Sequence, residues 1–68
     1  MKMFGERLRD LRKEKGLSAK ALGKLVGVSD ATIINWENNV NDILGENLVA
    51  ISKFFDVSTD YLLGLSDS

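Results

Sequence analysis

The chain has 68 residues, 44% hydrophobic and 28% charged, a size and balance that allow one globular domain and exclude a disordered chain. Its net charge is −1. It contains no Cys and no His, so disulfides, thiol chemistry and the usual zinc sites are excluded. We therefore expect no metal or cofactor. No apolar run approaches the roughly 20 residues of a membrane helix, and the chain begins without a signal-peptide segment, so we expect a cytoplasmic protein with no membrane contact.

Hydrophobic spacing and local stop signals predict an all-α domain over residues 1–68. The five predicted helices cover roughly Lys2–Lys15, Ala19–Val26, Asp30–Asn38, Ile43–Phe55 and Thr59–Leu63. A serine stands at the N-cap of the second, third and fifth helix: Ser18, Ser29 and Ser58. A glycine follows the first, second and fifth helix: Gly16, Gly27 and Gly64. The connections are short, so successive helices must pack as neighbours.

The apolar positions of these helices predict one core shared by all five. Its expected members are Leu8, Leu11, Leu22, Leu25, Val28, Ile33, Trp36, Leu48, Ile51 and Leu62. A chain this short buries only about 60% of its unfolded surface, so this core must be compact and mostly local.

The charges divide between the two halves of the chain. Residues 1–29 carry eight basic and three acidic side chains, a balance of +5, whereas residues 30–68 carry one basic and seven acidic side chains, a balance of −6. This division predicts one basic and one acidic face. On charge alone, a basic face for a nucleic acid and a solvated helix that happens to be basic are equally good interpretations.

The segment 19–38 is the most informative part of the chain. Gly27, Val28 and Ser29 join two short helices, and Gly23 lies inside the first of them, where a side chain would block a closely crossing helix. Glycine inside a helix costs about 1 kcal/mol relative to alanine, so we expect a close approach to compensate. A small residue, a turn glycine and apolar groups at these offsets are what a helix-turn-helix requires sterically.

At this point the sequence resembles a known family, the phage-repressor type of DNA-binding domain (the Cro/cI-like or XRE group). The resemblance covers nearly the whole chain and is carried by FGERLRDLRKEKGLS (4–18), LGKLVGVS (22–29), TIINWEN (32–38), ENLVAISKFFDVS (46–58) and DYLLG (60–64). It implies a five-helix, lambda-repressor-like fold with a helix-turn-helix at 19–38. It also implies that the second helix rests over the DNA backbone and the third enters the major groove.

With Ile33 and Trp36 inward, the helical repeat turns the opposite face of the third helix toward DNA. The candidate base contacts are Asp30, Ala31, Ile34 and Asn35. The Asn35 amide can pair with adenine N6 and N7, Ala31 and Ile34 can touch thymine methyls, and Asp30 can accept from cytosine N4. The candidate phosphate contacts are Arg12, Ala19, Lys20, Lys24, Asn38 and Asn39. The alternative is that Asn35 and Ile34 are ordinary surface residues.

A second implication of the resemblance concerns Arg12 and Glu37. The family often pairs a basic residue late in the first helix with the Glu that follows the Trp, which ties the first helix to the end of the third and holds the Arg near phosphate. The alternative is two unrelated surface charges.

The sequence departs from the family pattern near the third helix. The family usually has Gln at the position of Ala19, a cation in the loop that here reads Asn-Val-Asn-Asp (39–42), and Pro-Ser where Ile43 and Leu44 stand. These departures leave open a repressor-fold module that binds a protein and has weak or no DNA binding. The chain could also be the DNA-binding piece of a longer regulator.

An enzyme is the least supported interpretation, because the chain has no glycine-rich phosphate loop and no acidic pair marked out for acid–base chemistry. No small-molecule ligand is indicated. We expect a transcriptional repressor that binds an inverted-repeat operator in double-stranded DNA. It should act as a homodimer, joined through the apolar C-terminal region around Tyr61, Leu62, Leu63 and Leu65.

Overall fold

The structure is a computed structural model that describes residues 2–67, so the two terminal residues of the predicted span 1–68 lie outside the described residues. Within this range the backbone forms five helices and no strand. They are α1 (Lys2–Glu14), α2 (Ala19–Val26), α3 (Asp30–Glu37), α4 (Gly45–Phe55) and α5 (Thr59–Leu62). No helix within residues 2–67 is long and apolar enough to cross a membrane. The all-α, five-helix prediction is confirmed.

The helix ends differ from the predicted ends by two residues or fewer. α1 ends before Lys15 because Gly16 has a φ of +68° and its N–H donates to the carbonyl of Lys13 at 2.9 Å, which closes the last turn early. α4 begins at Gly45 rather than Ile43, because Leu44 is extended and is itself the N-cap. Asn38 and Leu63 are C-cap residues, one position beyond the last residues of α3 and α5.

The three predicted serine caps are confirmed. The Ser18, Ser29 and Ser58 hydroxyls accept from the backbone N–H three residues on, at 3.0, 3.1 and 2.9 Å. Each such bond satisfies one of the free N–H groups of a helix start and is worth about 1 kcal/mol. The starts of α2, α3 and α5 are therefore fixed by local chemistry.

The core lies where all five helices meet. Its buried apolar side chains are Phe4, Leu8, Leu22, Ile33, Trp36, Ile51, Phe55 and Leu62. Among the other predicted members, Leu11, Val28 and Leu48 pack against this cluster while partly exposed. Phe4 and Phe55 belong to the core although the predicted list omitted them.

Leu25 was predicted to be in the core, and this prediction is wrong, because 58% of Leu25 is exposed. The cause is Gly23, which is buried and faces the start of α3. Two residues along a helix correspond to a rotation of about 200°, so the side of α2 opposite Gly23 carries Leu25 into solvent. The contact at Gly23 thus sets the rotation of α2 about its axis.

α1 contacts the end of α3 and the following loop from Gly5 to Arg12, and Arg7 between them fastens it to α5 and the residues that follow α5. At the crossing, the N–H of Gly5 donates to the Asn39 side-chain oxygen at 3.3 Å. Farther along, the Arg7 guanidinium lies over the Tyr61 ring, 4.2 Å from its centroid, and donates to the carbonyls of Tyr61 and Ser66. These contacts hold α1 against both α3 and α5.

Candidate nucleic-acid interface

The corner between α2 and α3 has the geometry that its glycines predict. Gly27 has a φ of +82°, and the N–H groups of Gly27 and Val28 both donate to the carbonyl of Gly23 at 2.8 Å. A Cβ on Gly23 would lie 2.5 Å from the carbonyl oxygen of Val28 and 3.2 Å from the carbonyl carbon of Ser29. Only glycine therefore allows α3 to begin this close to α2.

α3 turns one side to the core and the other side outward. Ile33 and Trp36 are buried, whereas Ala31 is exposed, Ile34 is 46% exposed and Asn35 is half-buried. A helix with its side chains is about 10–12 Å in diameter, which fits the roughly 12 Å width of the DNA major groove. The outward face thus presents an amide and two apolar groups on a short helix that is anchored from behind.

The exposed Asp30 opens this face, and its carboxylate accepts from the N–H of Ala31 at 2.8 Å. A negative charge at a helix start is favourable for the helix dipole. It also places an acid, rather than a cation, at the end of α3 nearest α2.

The predicted phosphate contacts fall at two ends of the corner. Ala19 is the first residue of α2, and Lys20 and Lys24 are exposed on the same helix. Asn38 and Asn39 are exposed at the far end of α3, where Asn39 has a φ of +58°. The roles of these residues, and those of the α3 face, remain predictions.

The pair of Arg12 and Glu37 is confirmed as a contact. The carboxylate of Glu37, 4% exposed, accepts from Nε of Arg12 at 2.6 Å and from its Nη2 at 3.0 Å, while Nη1 donates to the carbonyl of Leu17 at 2.9 Å. This hydrogen bond to Glu37 raises the pKa of the Arg12 guanidinium above its ordinary value, burial acts in the opposite direction, and the charge of Glu37 adds to the increase. The bond joins α1 to the end of α3.

The raised pKa of Arg12 sets the upper pH limit of this pair's contribution to stability. The part of its contribution that depends on the charge of Arg12 is fully present below the pKa of Arg12 in the unfolded chain and is lost as the pH rises through the higher folded value. No physiological pH reaches that range. The contact of Arg12 with phosphate stays a prediction. All three guanidinium nitrogens of Arg12 already donate within the protein, so few of its N–H groups remain for a phosphate.

Arg9 was not among the predicted site residues. Its Nη2 donates to the Asn38 side-chain oxygen at 2.8 Å, and its Nε lies 3.5 Å from Oε1 of Glu37. The signal in the sequence was spacing, since Arg9 stands three residues before Arg12, on the same side of α1. Within residues 2–67, no group of acidic side chains could hold a metal ion.

A short helix anchored by Ile33 and Trp36, a glycine corner and an outward amide face define a helix-turn-helix domain. The chain matches the Helix-turn-helix family over residues 8–62 and belongs to that family. The resemblance to phage-repressor domains is confirmed.

Two curated relatives and one solved structure give the comparison its detail. Repressor protein C2 of Salmonella phage P22 is 48% identical over 61 residues, which are 90% of this chain and 28% of that protein. The uncharacterized HTH-type transcriptional regulator YobD of Bacillus subtilis is 34% identical over 96% of this chain and 58% of its own length. This chain therefore spans between about a quarter and three fifths of these relatives.

The solved structure is the crystal structure of the P22 c2 repressor protein in complex with synthetic operator 9T. It superposes with a TM-score of 0.89 at 44% identity and covers 97% of this chain and 100% of that chain. Agreement over 97% of this chain confirms the fold class.

Proposed function

We propose that this chain binds double-stranded DNA sequence-specifically and represses transcription, with α3 in the major groove. The observation that carries the proposal is the outward face of α3, where Ile34 and Asn35 lie opposite a fully buried Ile33. An asparagine amide can pair with adenine, and an exposed isoleucine can contact a thymine methyl group. In this proposal Ala31 also faces a methyl group, and Asp30 accepts from cytosine.

The flanks of the corner supply the proposed phosphate contacts. The first amides of α2, beginning at Ala19, point out of the helix start and favour an anion. Lys20 and Lys24 bring positive charge to the same helix, and Asn38 and Asn39 lie at the other end of α3. Arg12 is a further proposed phosphate contact, with a side chain that is 16% exposed. Contacts of this kind fix the register of α3 on the duplex.

The proposal is also supported by the P22 c2 repressor, which is 44% identical and has been solved with a synthetic operator. Because this chain spans only part of the curated relatives, we propose for it the DNA-binding part of such a regulator. We further propose that it acts in the cytoplasm and carries out no catalysis of its own.

We also propose that two copies bind together on an inverted repeat. One short helix reads only a few base pairs, so specificity requires two half-sites about one helical turn apart. Leu65, 74% exposed, and the half-buried Tyr61 and Leu63 provide an apolar C-terminal surface for the second copy, whereas Leu62 belongs to the core.

Selection from a pool of random duplexes, followed by sequencing of the bound fraction, tests the proposal. The expected result is an enriched motif with inverted symmetry and a half-site spacing of about 10 base pairs. An enriched motif without symmetry would contradict the homodimer, and a pool with no enrichment at low salt would overturn sequence-specific binding.

A protein-binding role for the same fold is the second candidate. It is favoured by the loop after α3, where Val40 is 64% exposed and no cation stands between Asn38 and Asp42. A salt-dependent shift with a generic duplex would contradict this candidate, because phosphate contacts release counterions and protein contacts of this apolar kind do not.

A further inference from the structure

Arg9 joins a buried carboxylate to a surface amide. Its Nε lies 3.5 Å from Oε1 of Glu37, and its Nη2 donates to Oδ1 of Asn38 at 2.8 Å. The side chain of Arg9 remains 40% exposed, whereas that of Glu37 is 4% exposed. The guanidinium is thus held in one place while part of it faces solvent.

This contact sets the direction of the Asn38 amide. A carboxamide has an oxygen that accepts and a nitrogen that donates two hydrogen bonds, whereas a guanidinium only donates. A flipped amide would place N–H groups against N–H groups, so Arg9 selects the orientation with the oxygen inward. In that orientation the Asn38 nitrogen and its two donors are directed away from Arg9.

The ligand that fits this arrangement is an anion with several acceptor oxygens. Asn38 is the C-cap of α3, where the last carbonyls give the helix end a partial negative charge that repels an anion. The charge of Arg9 offsets this repulsion at the same point, and the amide supplies directed donors. A phosphodiester group meets both requirements.

We infer that Arg9 is a positioning residue that orients the Asn38 amide and that the two side chains together bind one backbone phosphate of the duplex beside the end of α3. This inference rests on the DNA-binding function proposed above. It adds to that function a cation, Arg9, at the phosphate contact of Asn38, where the loop after α3 carries none.

Arg9 is not required to satisfy Glu37. Arg12 donates to the same carboxylate through two bonds of 2.6 and 3.0 Å, both shorter than the 3.5 Å approach of Arg9. Removing Arg9 therefore leaves the buried carboxylate paired. The fold should tolerate Arg9→Gln, which makes a binding test of this variant interpretable.

The experiment measures binding of a labelled generic duplex of about 20 base pairs, long enough for two helical turns, at several salt concentrations. The variants are Arg9→Gln, Asn38→Ala, their double variant, and Arg9→Lys, with Lys53→Gln as the matched control that removes one charge from the acidic half of the chain. Thermal unfolding of each variant is recorded in parallel.

We expect Arg9→Gln to weaken binding about five- to tenfold at low salt and to make the log–log salt slope shallower by about 0.9 per subunit. Arg9→Lys should recover most of the slope, and Lys53→Gln should leave binding unchanged. The double variant should bind more tightly than the product of the two single effects predicts, because Arg9 acts partly through Asn38.

Three results would overturn the inference. If Arg9→Gln left the affinity and the salt slope unchanged, Arg9 would not contact a phosphate, although the proposed DNA-binding function would stand. Multiplicative effects in the double variant would show two independent groups and remove the positioning role. Failure of the unmodified chain to bind any duplex at low salt would overturn the proposed function and this inference with it.

Discussion

Trp36 is the largest side chain at the inner corner between α2 and α3, and it is almost fully buried. Trp36→Ala should lower the free energy of unfolding by about 3–5 kcal/mol, because the cavity cannot be filled by its neighbours. Urea unfolding measures the change. Leu25→Ala is the control: it truncates an exposed apolar residue and should change stability by no more than about 0.5 kcal/mol. A loss below about 1 kcal/mol for Trp36→Ala would contradict its role in anchoring α3.

Asn35 is the residue on which base recognition depends most in the proposed function. Asn35→Ala should relax the preference at one position of each half-site by about 1–3 kcal/mol, since two hydrogen bonds to an adenine are lost. Ile34→Ala should have a smaller effect, through one lost methyl contact. Repeating the duplex selection with each variant measures both effects.

Asn47→Ala provides the matched control for Asn35, because Asn47 is half-buried in the same way but lies on α4. It should keep the motif of the unmodified protein. If Asn35→Ala and Ile34→Ala also kept that motif, the assignment of the outward face of α3 to the groove would be wrong.

At the scale of helices, the crossing of α1 over the end of α3 depends on Gly5. A Cβ at Gly5 would lie 2.8 Å from the carbonyl oxygen of Trp36 and from Nδ2 of Asn39, and closer still to the carbonyl oxygen of Glu37. Gly5→Ala should therefore destabilise the protein by about 1–3 kcal/mol, since relief requires backbone to move. This cost exceeds the gain in helix propensity, which is at most about 1 kcal/mol.

The chain contains a matched control for that change. A Cβ at Gly45, the first residue of α4, would meet no atom within 4 Å. Gly45→Ala should raise the free energy of unfolding by about 0.5 kcal/mol through helix propensity alone. Equal effects of the two substitutions in urea unfolding would mean that α1 and α3 do not approach each other this closely.

Helix positions were predictable because they depend on neighbours in the sequence. A serine hydroxyl reaches an N–H three residues away, and a glycine such as Gly27 can adopt positive φ at the end of a helix without a steric penalty. The rotation of a short helix is different. In the eight residues of α2, both Leu22 and Leu25 fit an apolar stripe, and only the contact of Gly23 with Val28 and Ser29 decides which of them is buried.

The candidate site was predictable to a similar extent. The outward face of α3 followed from the inward positions of Ile33 and Trp36, and the Arg12–Glu37 contact followed from the family resemblance. The contact between Arg9 and Asn38 joins residues 29 positions apart. Local spacing places Arg9 on the same side of α1 as Arg12, but it cannot indicate Asn38 as the partner, because that contact depends on how α1 crosses α3.

At the scale of the whole molecule, seven of the nine basic side chains come from α1 and α2, whereas six of the ten acidic side chains lie within residues 30–62. The loop after α3 adds Asp42 and no cation. The proposed DNA-facing side therefore carries its lysines on the α2 flank, and Arg9 is the cation proposed at the end of α3. Arg12 is paired with Glu37 and adds no net charge to its proposed phosphate contact, so the ionic contacts are few, namely Lys20, Lys24 and Arg9.

Each neutralised phosphate contributes about −0.9 to the log–log salt slope, so two or three contacts give a shallow slope of roughly −2 to −3 per subunit. Val40→Lys places a cation in the loop after α3, at a side chain that is 64% exposed. It should tighten binding to all duplexes alike and steepen the slope by about one unit. Binding isotherms at several salt concentrations measure both values.

Val49→Lys, which adds the same charge on α4, should leave the slope unchanged. A steep slope in the unmodified chain would mean that more phosphates are neutralised than these three side chains can reach, and an equal effect of both lysines would mean that net charge, not the loop, governs binding.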